Sequence, residues 1–282
     1  MALVVNTNVA SITSQFYVNQ TNRDMADTMA RLSSGKRINT AADDAAGVAI
    51  ASRLQAESRG LNQAVRNAND AQAMIDTAEG ALVEAVNILQ RMRELAVQSS
   101  NDTNSSGDRT NLNTEFSALK TELTRIEEST TWAGVKILDG SGGASTNGAF
   151  TYMVGTGRTA TATTDQITVT YGNITTMIAA LSGASLATQA SAAAAIANAD
   201  TAIGLVNTER ATLGSVSNRL DHTISNLGNN VANIESARSR IEDADFAAES
   251  AALAKNQIML QAGTAMLAQA NASQQNVLSL IS

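Results

Sequence analysis

The sequence predicts a mainly α-helical protein in which long coiled-coil-like helical hairpins run in from both termini, with a small β-region between them and no large outer domain. Three observations lead there. Average usage would place roughly 14 prolines in a chain of this length, and its 282 residues contain none, so no ring clash or missing donor interrupts a helix. Aromatic residues make up 3% while 44% of residues are apolar, much of that alanine, a composition that suits slender bundles better than a thick globular core. Apolar residues also return at intervals of seven in several long stretches, the period of a helix seam.

In chain order, Val9, Ile12 and Phe16, then Met25, Met29 and Leu32, form a thin first stripe. The series Leu61, Ala68, Ile75, Leu82, Leu89, Ala96 predicts one unbroken helix of about 39 residues, near 60 Å long at 1.5 Å per residue. A polar loop, NDTNSSGDRTN, separates it from a second helix carrying Leu112, Phe116, Leu119, Leu123 and Ile126, expected to return antiparallel. Between about Thr131 and Ile178 the period drops to two in VKIL, FTYMV and QITVTYG, which read as short strands. The intervening DGSGGASTNG and GTGRTATATTD read as exposed loops. Val206, Leu213, Leu220, Leu227, Ile234 and Ile241 then form the longest seam, and Phe246, Leu253, Leu260 and Leu267 carry the period almost to the last residue. Both terminal stripes are diluted with alanine, and isolated helices of that kind are marginal in water. They are expected to order by association, their apolar faces covered by neighbouring molecules.

Little chemistry is on offer. With no cysteine and a single histidine, His222, thiolate catalysis and two-histidine metal sites are excluded. His222 sits beside Leu220 in a seam and reads as a solvated or seam-edge residue. Asp43 and Asp44 imitate a carboxylate pair but precede an alanine-rich helix, where carboxylates cap the first turn. The GSGG at residues 140–143 lacks the Lys-Ser/Thr and the helix of a phosphate loop, and Arg91, Arg93 and Glu94 read as a solvated face of mixed sign. No cofactor is implied. A net charge of −7 argues against nucleic acid as a partner. The first residues, MALVVNTNVASITSQF, carry no basic or sustained apolar run, so neither a cleaved signal peptide nor membrane insertion is expected.

Several separate stretches resemble the bacterial flagellins, the subunits of the flagellar filament. They are VVNTNVAS, RLSSGKRINTAADDAAGVAIASRL, GLNQAVRNANDAQAMIDTAEGAL and LQRMRELAVQSSNDTNS towards the N-terminus, WAGVKILDG at the start of the β-region, and NRLDHTISNLGNNVANIESARSRIEDADFAAE with QAGTAMLAQANASQQNVLSLIS at the other end. The resemblance implies a structural subunit, not an enzyme, that self-assembles into the extracellular filament used as a propeller and is exported unfolded by the flagellar type III route. It maps residues 1–46 with 238–282 onto an inner-core domain of terminal helices, and residues 47–237, including the β-region at about 131–178, onto an outer tube. Val9, Ile12, Phe16, Leu253, Leu260, Leu267, Val277, Leu278 and Ile281 are the expected assembly core.

Further partners implied by the resemblance are an export chaperone at the C-terminal helix, the filament cap and the hook-junction proteins. The vertebrate receptor Toll-like receptor 5 is another, with Arg91, Leu95 and Glu115 as its expected contacts. Met92 stands where a valine is common in the family, and Ser273 and Gln274 stand where many members have a proline-containing turn. Two rival readings are a hook-filament junction protein, similar at both termini, and the coiled-coil domain of a signalling receptor. The second would need a membrane span and lacks WAGVKILDG. A flagellin carrying a metalloprotease insert would need histidines that are absent here.

Overall fold

The computed structural model describes residues 7–141, 148–156 and 163–279, apart from the side chains at 163 and 274–279. Six helices and four short strands follow one another: α1 (Val9–Ser34), α2 (Ala45–Ser99), α3 (Ser106–Ser129), β1 (Thr131–Trp132), β2 (Val135–Lys136), β3 (Ala149–Met153), β4 (Gln166–Thr170), α4 (Ile174–Met177), α5 (Gln189–Glu242) and α6 (Phe246–Ser279). They divide into two compact units, the first formed by Met1–Ala56 with Asn233–Ser282 and the second by Glu57–Ala232. The sequence placed the corresponding boundaries at 46/47 and 237/238. Long helices and few small strands agree with the expected fold class, and no large outer domain occurs among the described residues.

Two helices are longer than their apolar series suggests. α2 extends over 55 residues and starts at Ala45, because nothing between Ala45 and Leu61 stops a helix. α5 covers 54 residues and starts at Gln189, well before Val206. Its first turns are seamed by Ala192, Ala195, Ala199 and Ala202, each fully buried. Those positions keep the three-and-four spacing of a seam with methyl groups in place of larger side chains.

In the second unit α2 and α5 run antiparallel. Gln72 Nε2 donates to Asp221 at 3.0 Å, Arg210 Nε to Glu79 at 2.8 Å and Arg93 Nε to Asp200 at 2.6 Å, so each step along one helix retreats along the other. α3 turns back on α2 through a capping box, in which Ser105 and Asp108 satisfy one another's backbone N–H groups. Arg109 ties the loop by donating to the carbonyls of Ser99 and Asn101 at 3.0 and 3.1 Å. The core combines alanines of both long helices with Leu82, Leu89, Met92, Phe116 and Leu123, all at most 1% exposed.

The β-region seats itself on that core. β1 and β2 form a hairpin whose turn residues, Ala133 and Gly134, both have positive φ (49° and 82°), the signature of the mirror-image turn that suits twisted strands. Ile137 and Leu138 follow at 0% exposure. β3 and β4 pair antiparallel with Phe150 opposite Val169 and Tyr152 opposite Ile167, while Thr151 and Thr168 meet at 3.2 Å on the other face. Strands end at Thr170, earlier than the sequence suggests, and the segment to 188 plugs the core with Tyr171, Ile174, Leu181 and Leu186. Most of the two expected loops, residues 142–147 and 157–162, lies outside the described residues.

An alanine held at positive φ costs about 1–2 kcal/mol relative to a residue tolerant of that region. Ala133→Asn is expected to stabilise the second unit by about 1 kcal/mol, read as a higher midpoint in chemical denaturation. A lower midpoint would refute the turn assignment. Glu209 gives a second test. Burial raises its carboxyl above the ordinary value, only partly offset by the Gly172 N–H that donates to it at 2.7 Å. An acid whose folded value is raised contributes stability that is complete below its unfolded value of 4.5 and is lost as pH rises through the folded value. Glu209→Gln, which imitates the protonated form, should therefore melt higher than the parent at pH 7, and the difference should vanish below pH 4.5.

Candidate assembly surface

The first unit is built on α1 and α6. Asn8 Nδ2 donates to the carbonyl of Ala270 at 3.1 Å, Ser11 Oγ to Asn271 at 2.9 Å, and Arg31 pairs with Glu249 at 3.3 Å. Rising numbers on α1 meet falling numbers on α6, so the two helices are antiparallel. Asn8 caps α1 by accepting from the Ser11 N–H at 3.0 Å, and Gly35 ends it in the left-handed region at φ 71°. A strap follows in which Arg37 N donates to Glu242 O at 2.7 Å and Ala244 N to Gly35 O at 3.0 Å, joining the end of α1 to the junction of α5 and α6.

Asp43 and Asp44 do capping work. Asp43 Oδ2 accepts from the N–H groups of Thr40 and Asn39, at 2.8 and 3.1 Å, and these hold its carboxyl below the ordinary range. Asp44 Oδ1 accepts from Gly47 N at 2.8 Å in the first turn of α2. A side chain at Gly47 would press on Asp44 and Ile38, so this cap needs a glycine there. His222 is exposed on α5. No cluster of three or more residues suited to a metal ion, and no helix long and apolar enough to cross a membrane, occurs among the described residues.

The side chains that α1 and α6 turn towards each other mix a few large apolar groups with small and polar ones. On α1 they are Ser11, Ser14, Val18, Thr21, Met25, Thr28 and Leu32, at three-and-four spacing. Thr21 and Thr28 are 7% and 6% exposed, each donating to a carbonyl of its own helix. On α6, Leu253, Asn256, Leu260, Gly263, Leu267 and Ala270 are half-buried. Contact is close, since a Cβ added at Gly263 would stand 2.8 Å from Val18 Cγ2.

A second set of large side chains is exposed. Val9, Ile12, Phe16, Tyr17 and Met29 on α1, and Phe246, Ile258, Met259 and Met266 on α6, are all about half to two-thirds exposed, Phe16 at 64% and Ile258 at 66%. Phe16 and Tyr17 meet edge to face, ring centres 5.9 Å apart. The expected assembly residues therefore split: Val9, Ile12 and Phe16 face outwards, whereas Leu253, Leu260 and Leu267 belong to the seam within the chain. Val277 and Leu278 lie on α6 with side chains outside the described set, and Ile281 is outside the described residues. Tyr17, Ile258, Met259 and Met266 are exposed side chains outside the apolar series read from the sequence, and Phe246, which keeps the interval of seven with Leu253, Leu260 and Leu267, is exposed at the start of α6.

In the second unit Arg91 donates to Glu115 through Nε at 3.1 Å and Nη2 at 3.0 Å, and also to Glu94 at 3.1 Å. Arg91 and Glu115 thus form one exposed patch. Leu95, expected beside them, is 1% exposed and belongs to the core.

Comparison with known proteins decides the family. The bacterial flagellin N-terminal helical region matches residues 5–142, and the bacterial flagellin C-terminal helical region matches residues 196–281. The chain belongs to the bacterial flagellin family. Flagellin B of Vibrio cholerae is 54% identical over 144 residues, covering 51% of this chain and 38% of that protein. Flagellin A of Vibrio anguillarum is 52% identical over 143 residues, with the same two coverages. The matched stretch thus spans well under half the length of these flagellins. A solved Bacillus cereus flagellin aligns over 57% of this chain and 88% of that one at 34% identity and a TM-score of 0.49. A structure described as a putative flagellar hook-associated protein from Vibrio parahaemolyticus covers 71% of this chain and all of that one at 14% identity and a TM-score of 0.58, a likeness of fold alone.

Proposed function

We propose that this flagellin-family chain is a structural subunit that polymerises through α1 and α6 into the extracellular flagellar filament, where it transmits torque and catalyses no reaction. The observation that carries this reading is the outward face of α1 and α6. Nine large apolar side chains stand exposed there, beside a seam in which valine, methionine and leucine alternate with serine, threonine, asparagine, alanine and glycine. Full burial of one such side chain is worth about 1.5–3 kcal/mol, so a second copy that covers the face adds burial that the free subunit lacks. Kinship with the Vibrio flagellins supports the same partner. The hook-filament junction reading is not favoured, since the hook-associated likeness is one of fold, at 14% identity. An export chaperone at α6, the filament cap and the hook-junction proteins complete the set of partners the reading carries. The inner and outer domains are taken as residues 1–46 with 238–282 and residues 47–237.

Phe16→Asp separates assembly from folding. At 64% exposure the charge is solvated in the free subunit, so helix content should match the parent. Inside a polymer the same carboxylate would be buried without a partner. Seeded filament formation should therefore be lost on electron microscopy grids, and filaments at the parent's yield would refute the proposal. Leu260→Asp, in the half-buried seam, should weaken the subunit as well as its assembly.

Recognition by Toll-like receptor 5 is proposed at the Arg91–Glu115 patch, whose charges are exposed and already oriented by their mutual bonds. Leu95 acts from beneath by holding α2 in place. Arg91→Ala should reduce receptor-reporter activation by about tenfold, the equivalent of one charge-assisted contact. Activation equal to the parent's would remove the receptor from this site.

A further inference from the structure

The chain contains nine methionines and no cysteine, so every sulfur available to a two-electron oxidant is a thioether. Their exposure is uneven. In the second unit Met74, Met92 and Met177 are 3%, 0% and 8% exposed, whereas Met29, Met259 and Met266 of the first unit are 55%, 49% and 62% exposed. These three belong to the outward face of α1 and α6. The antiparallel register sets Asn8 beside Ala270 and Val18 beside Gly263, so Met266 stands level with the stretch of α1 that carries Ile12 and Phe16. Ile12 and Phe16 are 59% and 64% exposed there, so a second copy that covered this stretch would bury a new acceptor beside large apolar groups.

We infer that Met29, Met259 and Met266 are oxidation sites at which a peroxide converts an assembly-competent subunit into an incompetent one, an inference that rests on the assembly reading above. The thioether sulfur attacks one oxygen of hydrogen peroxide, the O–O bond breaks, and the sulfur keeps that oxygen as a sulfoxide while the other leaves as water. Sulfur is oxidised by two electrons and the peroxide is reduced by two. A flexible apolar side chain becomes a strong dipole, costly to bury unpaired between apolar neighbours. Assembly covers the same sulfurs, so oxidation acts on free subunits and spares polymerised ones. A thiol-driven sulfoxide reductase returns the sulfur to the thioether and restores competence.

One sample tests it. Full-length subunit is treated with hydrogen peroxide until about half the exposed thioethers carry oxygen, quenched, seeded with filament fragments of untreated protein, and spun. Peptide mass spectrometry then gives sulfoxide occupancy in the pellet and the supernatant. Sulfoxide at Met29, Met259 and Met266 should form before sulfoxide at Met74, Met92 and Met177, and should be about tenfold depleted in the pellet. Sulfoxide at Met153, 40% exposed on β3, should partition evenly and serves as the internal control. Reductase with dithiothreitol should return the supernatant protein to the pellet on a second seeding. Equal occupancy at the three positions in pellet and supernatant overturns the inference while leaving assembly intact. Untreated protein that never enters the pellet overturns the assembly reading and this inference with it.

Discussion

The first unit is held together by a seam too lean to account for the apolar surface around it. Val18, Met25 and Leu32 on α1 and Leu253, Leu260 and Leu267 on α6 alternate with serine, threonine, asparagine, alanine and glycine. Gly263 lets the helices approach closely, and Thr21 and Thr28 donate their hydroxyls back to their own helix, Thr28 also accepting from Asn256 Nδ2 at 3.5 Å. Close approach and satisfied polar groups fix how the pair fits. They do not supply much burial, and burial is the dominant favourable term in folding. Phe16, Tyr17, Phe246 and Ile258, the bulkiest groups on these helices, are all on the outside. An exposed face of that kind marks an interaction site.

The second unit solves the same problem internally. α2 and α5 share a seam of fully buried alanines, α3 adds Phe116 and Leu123, and the strands bring Ile137, Leu138, Ile167 and Val169 onto the same core. Charged groups there remain mostly exposed, in pairs such as Arg91–Glu115 and Arg93–Asp200. Exposed pairs of this kind add little stability and give the surface its pattern of charge. On the proposed reading, one chain carries a unit that is complete when alone and a unit that copies of the chain would complete.

The repeat of seven made the long helices legible. Leu61, Ala68, Ile75, Leu82, Leu89 and Ala96 are all buried on α2, and Val206, Leu213, Leu220 and Leu227 on α5. The switch to period two found the strands, since Ile167 and Val169 face in while Thr168 faces out. Other features left weaker traces. The start of α5 is written in alanines whose spacing is regular but whose hydrophobic signal is faint, and the plug at Tyr171, Ile174, Ile178 and Leu181 keeps a three-and-four spacing over too short a stretch to stand out as a repeat. The candidate assembly face was half legible: a helix with apolar residues on two sides gives one seam readily, and only the fold shows which side faces the partner helix. Leu95 illustrates the same limit, since a motif places it beside Arg91 in sequence while the helix turns it into the core.

Amide hydrogen exchange on the full chain, compared between dilute subunit and seeded filament, tests the central claim most directly. Local stability follows buried contacts, so amides of α1 and α6 should exchange at least about a hundredfold faster than those of the buried stretches of α2 and α5 in the subunit, and become comparably slow in the polymer. Amides of α1 and α6 that are already as protected in the dilute monomer as those of the second unit would contradict the account, because the internal seam would then suffice without a neighbour.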